Sequence, residues 1–340
     1  MSDPDWLGLP DLASRLLGGG VIAANDEFFA DRENLIRPEE PVFRPHTFTA
    51  KGQEYDGWET RRRRGHPGEH DWAIVRLGVH GVVRGVVVDT AFFKGNYPPF
   101  VSIDACAADG YPAPGELGGW VAIVPRSRVA GDTANLFEVD DPKRYTHVRL
   151  NIHPDGGVAR LRVHGHPLAD PGWLDDVPFD LAALANGAEV VLASDGFFSP
   201  PVNMLRPGQS RFMSDGWETA RRRDGGHDWA VVRLAAEAVL AVSDVDTSHY
   251  RGNSPESAVI EGTNTDDFAD LSAADAWWPL APVVRLQPDT AHRVRLSSDR
   301  AVTHVRLNIH PDGGIGRFRV YGRLTERGRA DIERRWHETS

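Results

Sequence analysis

Cysteine, basic excess and long apolar runs are all scarce in this chain. Cys106 is the single cysteine, so no intrachain disulfide can form. That suits a reducing cytoplasm, the location expected from sequence. Lysine and arginine number 38 against 49 aspartates and glutamates, a net charge of −11. Phosphate backbones are held by a basic face, so no nucleic-acid partner is expected. The opening MSDPDWLGLPDLASRLLGGG lacks a basic n-region and a long apolar stretch. Neither a signal peptide nor a membrane span is expected. GxSxG, the P-loop and HExxH are missing, and no Rossmann fingerprint stands in a suitable context. What is present is ordinary globular material: 340 residues, 41% apolar and 26% charged, enough for two domains. The 34 glycines and 24 prolines suit short strands joined by turns.

One segment organises the rest. Residues 146–157 read THVRLNIHPDGG, and residues 303–314 read the same. Other blocks pair at nearly the same spacing. Asp11 and Asp180 are offset by 169 residues, Asp56 and Asp215 (each opening DGWET) by 159, and His70 and His227 (each opening HDWA) by 157. From there the offset stays at 157 through Asp89/Asp246 and Gly95/Gly252. The extra residues of the first copy fall at Pro38 to Thr49 and near His66-Pro67. Insertions confined to two points describe loops varying on a kept framework, hence a duplicated domain.

Within each copy the alternation is that of strands. In the repeated segment His147, Arg149, Asn151 and His153 take one face and Val148, Leu150 and Ile152 the other. DWAIVRL, ARLRVHG and GRFRVYG alternate too, with Leu161, Val163, Phe318 and Val320 facing inward; GVVRGVVVDT reads as a separate brief strand. Asp11 is expected to cap a short helix ending at the glycines 18–20, and Asp180 to Gly187 repeats the design. The expected fold class is all-β: tandem duplicated β-sandwiches, a jelly roll of about eight strands in each copy, with short helices. The expected boundaries are an N-terminal segment at 1–19, a first repeat at 20–167, a linker at 168–187, a second repeat at 188–323 and a charged, loosely helical tail at 324–340.

Four constellations carry chemistry. The arginines after DGWET (Arg61 to Arg64, Arg221 to Arg223) offer guanidinium forks that suit a small carboxylate, or pair with nearby acids such as Glu59 and Asp71. His70-Asp71 and His227-Asp228 hold an imidazole fit for proton transfer near neutrality. Its partner must come from elsewhere, since neighbours on a strand point oppositely. Asp89 and Asp246 end buried-looking strands beside Asn96 and Asn253, where they serve as a base or tie the turn to its own backbone. The repeated strand itself ends in His153 or His310. Its two histidines lie about 20 Å apart along the strand, too far to share one metal ion. No metal and no cofactor are therefore expected.

These blocks resemble a known family. DGWETRRRR, HDWAIVRLG, VVVDTAFFKGNYPP and THVRLNIHPDGGVARLRVHG, recurring as DGWETARRR, HDWAVVRLA, DVDTSHYRGNSPE and THVRLNIHPDGGIGRFRVYG, are similar to the allantoicase family from about Gly18 to Gly322. The resemblance implies a duplicated jelly-roll (galactose-binding-like) fold, a homo-oligomer, and hydrolysis of allantoate to ureidoglycolate and urea in purine use for nitrogen. It assigns no catalytic residue, so the candidates follow from side-chain chemistry. Allantoate carries a carboxylate and two ureido groups on one carbon. Arg62, Arg63, Arg149, Arg221, Arg222 and Arg306 suit the carboxylate; Asn96, Asn151, Asn253 and Asn308 suit the ureido groups. Glu59, His70, Asp89, His153, Glu218, His227, Asp246 and His310 are the acid–base candidates for a metal-free mechanism. Two further readings remain at this level. One is a tandem carbohydrate-binding protein using Trp277-Trp278 and Trp173. The other is a polar strand face that serves as a subunit contact.

Overall fold

The computed structural model describes residues 3–50, 52–53, 55–63, 68–175, 178–272 and 274–340. Arg64, His66 and Pro67, used above, lie outside them. The chain divides into two units, residues 1–168 with 338–340, and residues 169–337. Each is a β-sandwich, as expected.

Besides a small hairpin of Phe48–Thr49 and Gly52–Gln53, the strands of the first unit are β1 (Gly20–Ala24), β2 (Trp58–Glu59), β3 (Asp71–Asp89), β4 (Phe100–Cys106), β5 (Val121–Arg128), β6 (Ala134–Glu138), β7 (Arg144–His153), β8 (Gly157–Val158) and β9 (Arg160–Pro167). DWAIVRLG and GVVRGVVVDT are one continuous 19-residue strand rather than two. The first half of β3 lies between β1 and β7; after a register break between Arg76 and Gly81 its second half pairs with β9 and β6. A single bent strand thus serves both layers. β7 continues the first layer to β4 and β5. Every pairing among these is antiparallel.

The core fills the space between the layers. Val148, Leu150 and Ile152 from β7 meet Val75, Val101, Ile103, Leu161 and Val163 in one buried cluster. The apolar half of the alternation therefore faces the core, as expected from its period of two.

The second unit repeats the design with β10 (Glu189–Ala193), β11 (Trp217–Glu218), β12 (Asp228–Asp246), β13 (Ser257–Thr263), β14 (Trp278–Pro279), β15 (Ala291–Arg295), β16 (Ala301–His310), β17 (Gly314–Ile315) and β18 (Arg317–Leu324). β12 is again a 19-residue strand shared by both layers, pairing with β10 and β16, then with β18 and β15. Helix α1 (Glu326–Glu338) follows. Ile332 of α1 is buried against Ala236, Ala169 and Leu174, so the charged tail is a docked helix.

The short helices differ from expectation in their caps. The turn Arg15–Leu17 is capped by Ser14, whose Oγ accepts from Leu16 N, and ends at Gly18 with φ +94°. Asp11 instead accepts from Ala13 N and from Val163 N of β9. Asp180 does the same with Ala182 and Val320. These aspartates tie a loop to a strand, a use of Asp that competes with helix capping.

DGWET and the HPDGG turn lock together. Thr60 Oγ1 accepts from Gly156 N, and Asp155 Oδ2 accepts from Arg63 N. Trp58 is fully buried and donates its indole N–H to Asp26 O. Gly156 has φ +144°, and a Cβ there would lie 2.7 Å from Pro98 N, so only glycine fits the turn.

Candidate functional site

The end of each repeated strand gathers a polar cluster on the outer face of the sandwich. In the first unit β7 is central, and Asn151 pairs across to Trp72 on one side and Ser102 on the other. Directly opposed residues share a face. Asn151 donates to Asp104 Oδ2 at 2.9 Å and to Ser102 Oγ at 3.2 Å. A carboxylate only accepts, so the amide nitrogen is fixed towards Asp104. The amide oxygen then faces His70, whose Nε2 lies 3.2 Å away and must be the donor. Arg149 also donates to Asp104, at 2.8 Å, and stacks over Trp120 at 4.7 Å. His70 packs on His153 with ring centres 4.5 Å apart. His153 Nε2 lies 3.1 Å from Ser102 Oγ.

The second unit builds the same cluster. Asn308 donates to Glu261 Oε2 at 2.8 Å, and its oxygen lies 3.1 Å from His227 Nε2. Arg306 binds the same Glu261 oxygen through Nε at 2.9 Å and Nη2 at 2.8 Å, over the Trp277 ring. Its Nη1 makes no hydrogen bond among the described residues. His227 and His310 stack with centres 4.3 Å apart. A cavity of about 280 Å³ opens here, lined by both imidazoles, Arg306, Asn308, Glu261, Trp229 and Val259.

Burial, and then the charge that His70 would carry, hold His153 down at about 4. Burial and His227 likewise lower His310. Both rings are neutral near pH 7 and can accept a proton. No group of three His, Cys, Asp or Glu side chains converges as a metal-binding set among the described residues.

Comparison with known proteins gives these clusters a context. The sequence profile of the allantoicase repeat matches residues 10–168 and 179–325. The chain belongs to the allantoicase family. It is 52% identical to a probable allantoicase of Nocardia farcinica, over 93% of this chain and 94% of that one. It is 44% identical to one from Pseudomonas paraeruginosa, over 92% and 95%. The crystal structure of allantoicase from Saccharomyces cerevisiae is 38% identical, with a TM-score of 0.77 over 92% of both chains.

Within this allantoicase fold the remaining candidates make other contacts. Glu59 accepts from Asn96 at 2.7 Å, and Asn253 donates to Glu218 in the same way. Burial raises Glu59 above the usual carboxylate range. Arg62 donates to Asp155, two residues beyond His153, at 2.8 Å. Arg63 donates to Asp71 at 2.6 Å, and Arg222 to Asp228 at 2.8 Å. Arg221 is exposed. Asp89 accepts from Ala91 N, and Asp246 from Ser248 N and Oγ. Asp246 lines a different cavity, of about 570 Å³, with Arg317 and Arg319. Asp155 faces the arginine loop.

Sequence reading missed Asp104, Ser102 and Trp120, and with them Glu261. The signal was available. Asp104 and Glu261, and Trp120 and Trp277, stand at the same offset of 157. Trp277, first considered an exposed sugar platform, is 8% exposed and lies under Arg306.

Proposed function

We propose that the protein is an allantoicase, hydrolysing allantoate to ureidoglycolate and urea, and that the paired-imidazole clusters are where it does so. The observation that carries this reading is the second unit's cavity. It sets two stacked imidazoles beside a guanidinium edge and an anchored amide, in a chain that matches allantoicases along nearly its whole length.

The geometry supports the following roles. Arg306 is held by Glu261 on one edge, leaving Nη1 for the substrate carboxylate. Asn308 fixes the donor nitrogen of His227. Neutral His310 takes a proton from water as the oxygen attacks the central carbon. The C–N bond to one ureido group breaks, and that nitrogen leaves as urea with the proton passed on from the imidazole pair. Burial and the neighbouring ring disfavour a lasting charge on His310, which favours handing the proton on. Arg149, Asn151, His70 and His153 offer the corresponding groups in the first unit. Arg62, Arg63, Asn96 and Glu59 hold the HPDGG turn from outside, and Arg222 does so in the second unit.

Urea release from allantoate tests the reading. Replacing His153 and His310 together by alanine is expected to lower kcat about 100-fold or more with the fold intact. Sugar binding without any urea release would overturn it.

A homo-oligomer in the cytoplasm fits the exposed phenylalanine pairs Phe28–Phe29 and Phe197–Phe198 and the lone buried thiol. Light scattering at several protein concentrations checks the assembly. A mass equal to one 37.5 kDa chain throughout would contradict it.

A further inference from the structure

The two clusters differ at one position that matters for proton transfer. Ser102 of β4 and Val259 of β13 are equivalent, 157 residues apart and each opposite the asparagine of the repeated strand. Ser102 Oγ accepts from Asn151 Nδ2, and its single hydrogen has His153 Nε2, 3.1 Å away, as the acceptor within reach among the described residues. An ordered chain results, from the Asp104 carboxylate through Asn151 and Ser102 to His153. In the tautomer whose Nε2 accepts, the lone pair that would take a proton from water is occupied. Val259 has no hydroxyl, and the His310 ring makes no hydrogen bond among the described residues. His310 lines the cavity that His227 and Arg306 also line.

We propose that turnover runs in the second unit at His310, and that Ser102 withholds the equivalent imidazole of the first unit from proton transfer. The inference rests on the allantoicase reading and adds which copy works and which residue decides it. The first unit keeps Arg149, Asn151 and His70, so it retains the chemistry to hold a carboxylate and a ureido group. It lacks the open imidazole. Ser102 is a positioning residue, acting on the reaction only through His153.

The test exchanges the two side chains in the full-length protein. In Val259→Ser the new hydroxyl reaches His310, and kcat is expected to fall about tenfold with little change in KM. In Ser102→Val the first unit gains an open imidazole, and kcat is expected to rise by up to about twofold, as a second site begins to turn over. Circular dichroism and melting confirm the fold of both. No fall in Val259→Ser, or loss of turnover in Ser102→Val, would overturn the proposal. A second measurement separates it from the function itself. Diethyl pyrocarbonate attacks an imidazole nitrogen with a free lone pair, and peptide mass mapping reads the order of modification. His310 is expected to react before His153. The reverse order refutes the inference even if the wild-type protein releases urea. Wild-type protein that releases no urea but shows His310 reacting first would sink the allantoicase reading and leave the local chemistry standing.

Discussion

Asp215 opens the second DGWET block, and its carboxylate accepts from Arg206, Arg211 and Arg317 while almost wholly buried. Burial pushes the group up, but the Arg211 amide and the Arg317 charge outweigh it and hold the carboxyl below its usual range. Arg317 returns the contact by donating to Asp215 O and Gly316 O. Asp56 and Arg160 repeat the pair at 2.8 Å in the first unit. The aspartate of the motif is thus an anchor, and the neighbouring tryptophan a core residue. Replacing Arg317 by methionine leaves a buried carboxylate short of its nearest cation. We expect a loss of about 3 kcal/mol, read by urea denaturation. A loss within error of zero would show that Arg206 and Arg211 suffice. Residue type alone marked DGWET as charged and repeated. It did not separate the anchoring aspartate from the glutamate beside it, because both are acids and only burial distinguishes them.

The repeated strands β7 and β16 behave as two-sided elements. Their apolar sides fill the cores, and their polar sides split along their length. His153 and His310, at one end, reach the imidazole clusters. His147 and His304, near the other end, are buried, and each contacts its preceding threonine through Nδ1 at 2.7 and 3.0 Å. Burial first, then Arg76 and His80 for one and Arg233 for the other, hold both at about 4. An unfolded histidine titrates near 6.5. Between these values the unfolded chain binds more protons than the folded one, so stability is full above about pH 6.5 and is lost as pH falls towards 4. Melting temperature measured from pH 7.5 down to 4 should therefore drop across that window. A flat profile would contradict the neutral burial of these rings. The alternation was legible in the strand's own sequence. So was the choice of the strand-end histidines His153 and His310 as candidates; the side chains that β3 and β4, or β12 and β13, place beside them were not, since those come from elsewhere in the chain.

At the scale of the whole molecule, duplication is the controlling fact. The constant offset of 157 residues fixed the repeat, and the length and composition of the blocks named the family. Period-two patterning determined the sandwich, because burying one face of a strand leaves few other arrangements. Those properties are local or additive along the chain, so a sequence carries them openly. Tertiary structure decided the rest. It joined two apparent strands into one bent strand shared by both layers. It brought His70 to Asn151 across 81 residues, and Asp104 to the same amide across 47. It placed Ser102 against His153 in one copy and Val259 near His310 in the other. Hydrogen bonds and stacking act over a few ångströms in space, whatever the separation along the chain. The proton chemistry of each copy was therefore set by neighbours that only folding supplies.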